Sequence, residues 1–273
     1  MHWKTAAHLF FALTIAAVGI VGLADGAFAP ILAGVPKSLT DRQLLAYACD
    51  ILLLACGAGL LIRRSAAPAA LVLLIFLIIW TLLFKVPFII RQPLVEVSYQ
   101  TNGENAVLIA GAWVLYVAFA ADAKQWRFRF VAGNAGLRVA RALYGLGLIA
   151  FGFSHFAYLN LTAPIIPSWI PGHVFWAYFT GTAYVAAGVA IVSGILARLA
   201  ALLVALQIAL ITILVWGPVV ASGKVSPMNW QETIVSWALT AAAFVIASSY
   251  GGERWTIRQG SGLFGARLAA RHQ

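Results

Sequence analysis

The chain has 273 residues, of which 63% are apolar and only 10% charged, and its mean hydropathy is +0.93. Soluble globular domains run near 45–50% apolar and about 25% charged. A soluble enzyme, a nucleic-acid-binding domain and a disordered chain are therefore excluded, and the net charge of +10 has to be read by where it lies.

Eight apolar stretches are long enough to cross about 30 Å of hydrocarbon. They cover 9–23, 44–62, 68–90, 105–121, 139–159, 174–194, 195–216 and 232–249. The first follows Lys4 and ends near Ala27-Phe28-Ala29, which imitates a cleavable signal peptide. Retention is expected, because the internal repeat described below needs this segment as its first helix. The second stretch carries Cys49, Asp50 and Cys56, and the third carries Lys85. The two cysteines are seven residues apart on one helix, about 10 Å along its axis. That is too far to bridge, so they are expected to be small packing residues.

Asp50 and Lys85 fall at similar depth on neighbouring spans. A lone charge there costs several kcal/mol, so a structural ion pair between them is expected. The alternative is that Lys85 snorkels to the surface alone. Glu104 opens the fourth stretch and Glu232 the eighth. Each is explained by the favourable placement of an anion at a helix N-terminus, or by a carboxylate that takes up protons beside an outer cavity. His155 lies about one turn from the end of the fifth stretch. It either caps helix-end carbonyls or relays a proton. The sixth and seventh stretches nearly touch, which puts Arg198 in a tight turn or on the first turn of the seventh.

Thirteen of the eighteen basic residues share the side that holds both termini: Lys4, Arg63, Arg64, Lys124, Arg127, Arg129, Arg138, Arg141, Arg198, Arg254, Arg258, Arg267 and Arg271. Cytoplasmic loops are enriched in Lys and Arg, so both termini are expected in the cytoplasm, with the chain in a bacterial inner membrane. The basic run from Lys124 to Arg141 is then a loop against anionic lipid and not a nucleic-acid patch.

The halves of the chain match at an offset of 131 residues. Val35-Pro36 meets Ile166-Pro167, Ala46-Tyr47 meets Ala177-Tyr178, and Gly57 meets Gly188. Thr81, Leu83 and Pro87 meet Thr212, Leu214 and Pro218. With small gaps, Gly22 falls opposite Gly152, Asp25 opposite His155, and Glu104 opposite Glu232. The expected fold is all-α, with eight transmembrane helices in two parallel four-helix repeats, since an even number of spans inserts each copy the same way up. The divisions are a first repeat over 1–123, a basic linker over 124–138, a second repeat over 139–250 and a basic tail over 251–273.

The second half contains Phe151-Gly152-Phe153-Ser154-His155-Phe156 and, after it, Ile166-Pro167-Ser168-Trp169-Ile170-Pro171-Gly172-His173-Val174-Phe175-Trp176-Ala177-Tyr178-Phe179-Thr180-Gly181. A Gly-x-x-His helix end, a Pro-x-Trp-x-Pro loop and a Phe-Trp-Ala-Tyr-x-Thr-Gly helix start resemble the DoxX family of small four-helix membrane proteins over about 110 residues. The first half keeps only the skeleton, with Lys37-Ser38-Leu39 in place of Ser168-Trp169-Ile170. The resemblance implies membrane redox work: a subunit that anchors a peripheral dehydrogenase and supports electron transfer with membrane quinone. The Cys-x-x-Cys pair of the vitamin K epoxide reductase group is absent. A structural subunit of a larger membrane complex and a small-solute transporter are the competing classes.

His155 and Glu232 are the candidate catalytic residues, and Trp169, His173, Trp176 and Tyr178 the candidate quinone-binding ones. For His173 an interfacial helix start is the bland account, and for the tryptophans an interfacial belt. No haem, flavin or metal is expected in this chain. Asp25, Lys37 and Leu45 stand in the corresponding places of the first half, so one ligand site is expected and not two.

Overall fold

The computed structural model describes residues 2–36, 38–122, 131–223 and 225–251. The described residues form a helical bundle without strands, and eight helices are long and apolar enough to cross a membrane. They are α1 (His2–Asp25), α2 (Arg42–Leu61), α3 (Ala66–Arg91), α4 (Val97–Asp122), α5 (Asn134–Ala157), α6 (His173–Ser193), α7 (Ala197–Ala221) and α8 (Pro227–Ser249). All eight predicted stretches are present. The largest boundary difference is at α4, which begins at Val97 and not near residue 105. Gln100, Asn102 and Glu104 are polar, yet the helix continues through them because the bundle supplies partners. The Asn102 amide donates to the Lys85 and Ser98 carbonyls, and Gln100 donates to Glu104.

Each helix packs against its neighbour in sequence, α8 closes onto α1, and α4 meets α8 in the middle. This pattern reads the same when the first four helices are exchanged for the last four. The exchange turns α4–α5 into α8–α1 and leaves α4–α8 as itself. About 70% of α4 and α8 is buried in the bundle, against 33–44% for the other six. Exposed leucine, isoleucine and valine side chains cover the outer helices, as contact with lipid requires.

Close helix approach is set by small residues. A Cβ added at Gly147 of α5 would lie 2.8 Å from the Gly103 carbonyl of α4, and the reverse holds for Gly103. On another face of α5, Gly145 approaches Gly188 and Gly152 approaches Gly181 of α6. Arg198 lies in the first turn of α7, after a reversal made by Gly194 and Leu196 with φ of +76° and +52°.

One feature recurs at an offset of 131 residues. Helix α3 widens into a π-turn over Thr81–Lys85, and α7 does the same over Thr212–Trp216. In each, the N–H after the turn reaches back five residues, Val86 to Thr81 and Gly217 to Thr212. The cause is Pro87 and Pro218 one residue further on. Proline has no N–H for an i−4 bond, and its ring crowds that carbonyl, so the helix relieves both by one wide turn.

The end of the bundle where α1 starts and α8 finishes is tied by specific contacts. His8 Nε2 bonds the Leu60 carbonyl at 2.7 Å, Trp113 donates to Val131 at 2.8 Å, and the buried Arg141 bonds Ser249 while lying 3.7 Å over the Tyr250 ring. Arg63, Arg64, Arg138, Arg141 and Arg198 occur toward this end; the side chain of Lys4, the remaining basic residues counted with them, and the whole 252–273 stretch lie outside the description. Lys37 and Lys224 are also outside it.

Candidate functional site

Toward the opposite end, α4, α5, α6, α7 and α8, with the α5–α6 connection, surround a cavity of about 460 Å³. That volume falls within the usual range of small-ligand sites, roughly 300–1,000 Å³. His155 and Glu232 both line it, so the two candidate catalytic residues share one space. Glu104 lines it as well, from the first half, together with Phe151, Tyr184 and Trp216. The cavity therefore spans both halves and is not confined to the second.

His155 sits in the last turn of α5, held by its own helix. Its Nδ1 is 3.2 Å from the Phe151 carbonyl and 3.5 Å from Ser154 Oγ. A carbonyl only accepts, so Nδ1 carries the proton and donates. Nε2 is then the lone-pair nitrogen. The ring lies 5.4 Å from Phe151 and 5.4 Å from the buried Tyr184, which fix its plane. The helix-capping account of this histidine explains Nδ1 and leaves Nε2 without a protein partner.

Glu104 is where several charges meet. It accepts from Gln100 Nε2 at 3.2 Å and interacts electrostatically with Glu232, Lys85 and Glu96. Glu96 lies in the connection between α3 and α4, outside both spans. Neither of its carboxylate oxygens has a hydrogen-bond partner, and burial pushes its carboxyl up to about 7. Three carboxylates thus run from the α3–α4 loop to the cavity. Below them Thr212, at the start of the α7 π-turn, bonds Ser236 at 2.7 Å and Thr240 at 2.8 Å, tying α7 to α8 under the cavity floor.

The four aromatic and imidazole candidates from the α5–α6 loop and the start of α6 are placed elsewhere. Trp169, His173, Trp176 and Tyr178 do not line the cavity. Trp169 is 66% exposed, Trp176 41% and Tyr178 47%. Tyr178 stacks on Phe156, and Trp176 packs edge-on against Phe175 and Phe179. Helix α6 turns these rings away from α7 and α8 because its small face, Ala177, Gly181 and Gly188, is the one pressed into the bundle. The rings that do line the cavity are Phe151, Tyr158, Tyr184 and Trp216. Trp216 was hidden from sequence reasoning because its orientation is set by the π-turn. A proline in register with Pro87 was the available signal.

The expected Asp50–Lys85 ion pair is not formed. Asp50 is fully buried, and its Oδ1 accepts the Ala29 N–H at 3.0 Å, while Oδ2 has no hydrogen-bond partner. Its carboxylate lies against Gly22, where an added Cβ would strike it. The second half has Gly152 against Gly181 at the corresponding place. Asp50 therefore serves the loop after α1, and the carboxylate that acts on Lys85 is Glu104. Depth alone suggested the pair. Lys85, the last residue of the π-turn, has its Nζ beside Gly34.

A second cavity, of about 290 Å³, opens at the same end in the first half. Its lining is basic and apolar, unlike that of the larger cavity. Both free cysteines are buried in α2, as small packing residues are. Among the described residues no group of three or more His, Cys, Asp or Glu side chains is placed to hold a metal ion. Compared with known proteins, the chain matches no family model, no curated protein and no solved structure.

Proposed function

We propose that this chain is a quinone-handling membrane subunit of a redox complex, related to the DoxX family and built by duplication of a four-helix unit. The duplication is supported by the paired π-turns and by the exchange symmetry of the helix contacts. In this reading the chain lies in a bacterial inner membrane with both termini cytoplasmic. A peripheral dehydrogenase or a larger assembly docks on it, and the exposed rings around Trp176 face lipid or that partner.

The observation that carries the reading is the convergence of His155, Glu104 and Glu232 on one aromatic-walled cavity. The residues present suit a quinone head: rings to stack on, one lone imidazole nitrogen and two carboxylates. Quinone supplies two-electron, two-proton chemistry when bound. His155 Nε2, the lone-pair nitrogen, would accept the proton of a quinol hydroxyl, and only once protonated would it donate to the carbonyl oxygen left there. Phe151 and Tyr184 hold the imidazole plane, and the Phe151 carbonyl fixes its tautomer. Glu104 and Glu232 line the same cavity, where two like charges would repel each other. Glu96 extends this line toward the loop. The electrons would pass to or from a redox centre on the partner, since the site's residues here supply only proton and hydrogen-bonding groups.

The test is purification from mild detergent with extraction of bound quinone, alongside His155→Ala and Glu232→Gln. Losing the imidazole contact removes about 1–2 kcal/mol of binding, or roughly five- to thirty-fold in affinity. Glu232→Gln preserves shape and is expected to slow proton-coupled turnover more than it weakens binding. Folded variants that both retain quinone and electron transfer at the parent level refute the assignment.

A further inference from the structure

The 290 Å³ cavity of the first half is lined by Ala33, Gly34, Pro36, Leu83, Phe84, Lys85, Pro87, Phe88, Arg91 and Thr101. Two of these carry positive charge and none carries negative charge. Lys85 is the final residue of the α3 π-turn, in the position that Trp216 occupies at the end of the α7 π-turn. The same wide turn that aims an indole into the larger cavity aims an ammonium into this one.

The Lys85 side chain is only 4% exposed. No hydrogen bond and no salt bridge satisfies Nζ, and the backbone of Lys85 is fixed by Asn102, which donates to its carbonyl at 3.0 Å. Gly34 passes beside it: a Cβ added there would stand 3.8 Å from Nζ. Gly34 has φ of +104°, a conformation that favours glycine, so the chain passes close to the ammonium without covering it. The residue is enclosed while its ammonium opens on the cavity with no protein acceptor, so whatever meets Nζ there, an anion best of all, fills its donors. Glu104 interacts with it electrostatically but does not line this cavity. Arg91 stands exposed at the mouth, and Leu83, Phe84, Phe88 and the two prolines form apolar walls.

We propose that this cavity is an oxyanion site, in which a carboxylate or phosphate group with an apolar neighbour sits on Lys85 Nζ and is drawn in past Arg91. The charge comes either from a free small anion or from the headgroup of an anionic lipid entering between the helices. The volume, near ten water-sized units at about 30 Å³ each, admits the anionic group with a few attached carbons. The site is separate from the His155 cavity and stands whether or not that cavity takes quinone.

The experiment uses the full chain in a neutral detergent. Inorganic phosphate and acetate are titrated calorimetrically at constant ionic strength, and the protein is also reconstituted in nanodiscs of phosphatidylcholine with or without phosphatidylglycerol, followed by native mass spectrometry. Binding of either soluble anion identifies a free ligand, and retention of phosphatidylglycerol identifies a lipid one. In either case Lys85→Met, which keeps the length and removes the charge, is expected to weaken binding at least about thirty-fold. Arg91→Gln at the exposed mouth is expected to weaken it about threefold. It carries the test if Lys85→Met does not fold. His155→Ala leaves the affinity unchanged, which separates this site from the other. No binding by any of the three probes overturns the proposal, as does binding that survives Lys85→Met or, where that variant fails to fold, survives Arg91→Gln unchanged.

Discussion

Replacing Asp50 distinguishes what this buried carboxylate does from what its depth suggests. Its one hydrogen bond receives the Ala29 N–H at 3.0 Å, in a place with no water contact and with Gly22 pressed against it. Asp50→Ala leaves that N–H without a partner, a cost of about 1–3 kcal/mol, and adds a small void. Asp50→Asn keeps an acceptor for Ala29 and removes a charge from the interior, so it is expected to stay within about 1 kcal/mol of the parent. Because Lys85 is not its partner, Asp50→Asn and Lys85→Met are expected to add within about 0.3–0.5 kcal/mol. A broken buried ion pair would instead cost about 3–5 kcal/mol in either single variant and show strong coupling. The assay is equilibrium unfolding by denaturing detergent, with each variant measured singly and together. Should Asn prove as damaging as Ala, or should the coupling exceed about 1 kcal/mol, the assignment of Asp50 to the Ala29 loop is wrong.

Further outcomes follow from other contacts. Glu96 has a carboxyl raised from 4.5 to about 7 by burial, so the native state binds more protons than the unfolded one between those values. Its contribution is fully present below about 4.5 and is lost as pH rises through about 7. Glu96→Gln is expected to flatten that part of a stability–pH curve, and an unchanged slope would count against the burial of this group. Gly147→Ala places a Cβ 2.8 Å from the Gly103 carbonyl and forces α4 and α5 apart, which is expected to cost about 1–3 kcal/mol by the same unfolding assay. Trp176→Ala and Tyr178→Ala remove rings outside the larger cavity and are expected to change quinone retention less than about twofold, within the range of contacts that exclude water without anchoring a ligand. A larger loss would return these rings to the site.

The spans were legible because about twenty apolar residues in a row admit few readings, and prolines and glycines kept register between the halves. The start of α4 was not, since Gln100, Asn102 and Glu104 look like loop until their partners are in place. His155 was legible as an intramembrane ionisable residue, which rarely lacks a reason to be there, and Glu232 as a carboxylate at a span's start beside an outer cavity. Glu104 was noticed, but its arrival beside Glu232 depends on α4 and α8 meeting across the halves, which no local pattern encodes. The rings of α6 misled because an interfacial belt and a ligand wall have the same composition. The destination of Lys85 turned on one wide turn, and a wide turn changes the direction of a side chain without changing any apolar count.

The two most enclosed helices, α4 and α8, also bear Gln100, Asn102, Glu104, Asn105 and Glu232, and this bears on how the chain is assembled during synthesis. Neither helix presents a broad face that lipid alone can cover, so each partitions poorly as a solitary segment. Each is preceded at once by a long, strongly apolar helix: α3 through the short connection at 92–96, and α7 through the one at 222–226. Insertion as the hairpins α3–α4 and α7–α8 lets the apolar member carry the polar one into the bilayer. Asn105 donates to Thr81 within the first hairpin, and Thr212 bonds Ser236 and Thr240 within the second. These three bonds lie within a hairpin and need no contact between the halves, so this part of the polar interior can be satisfied by each hairpin alone.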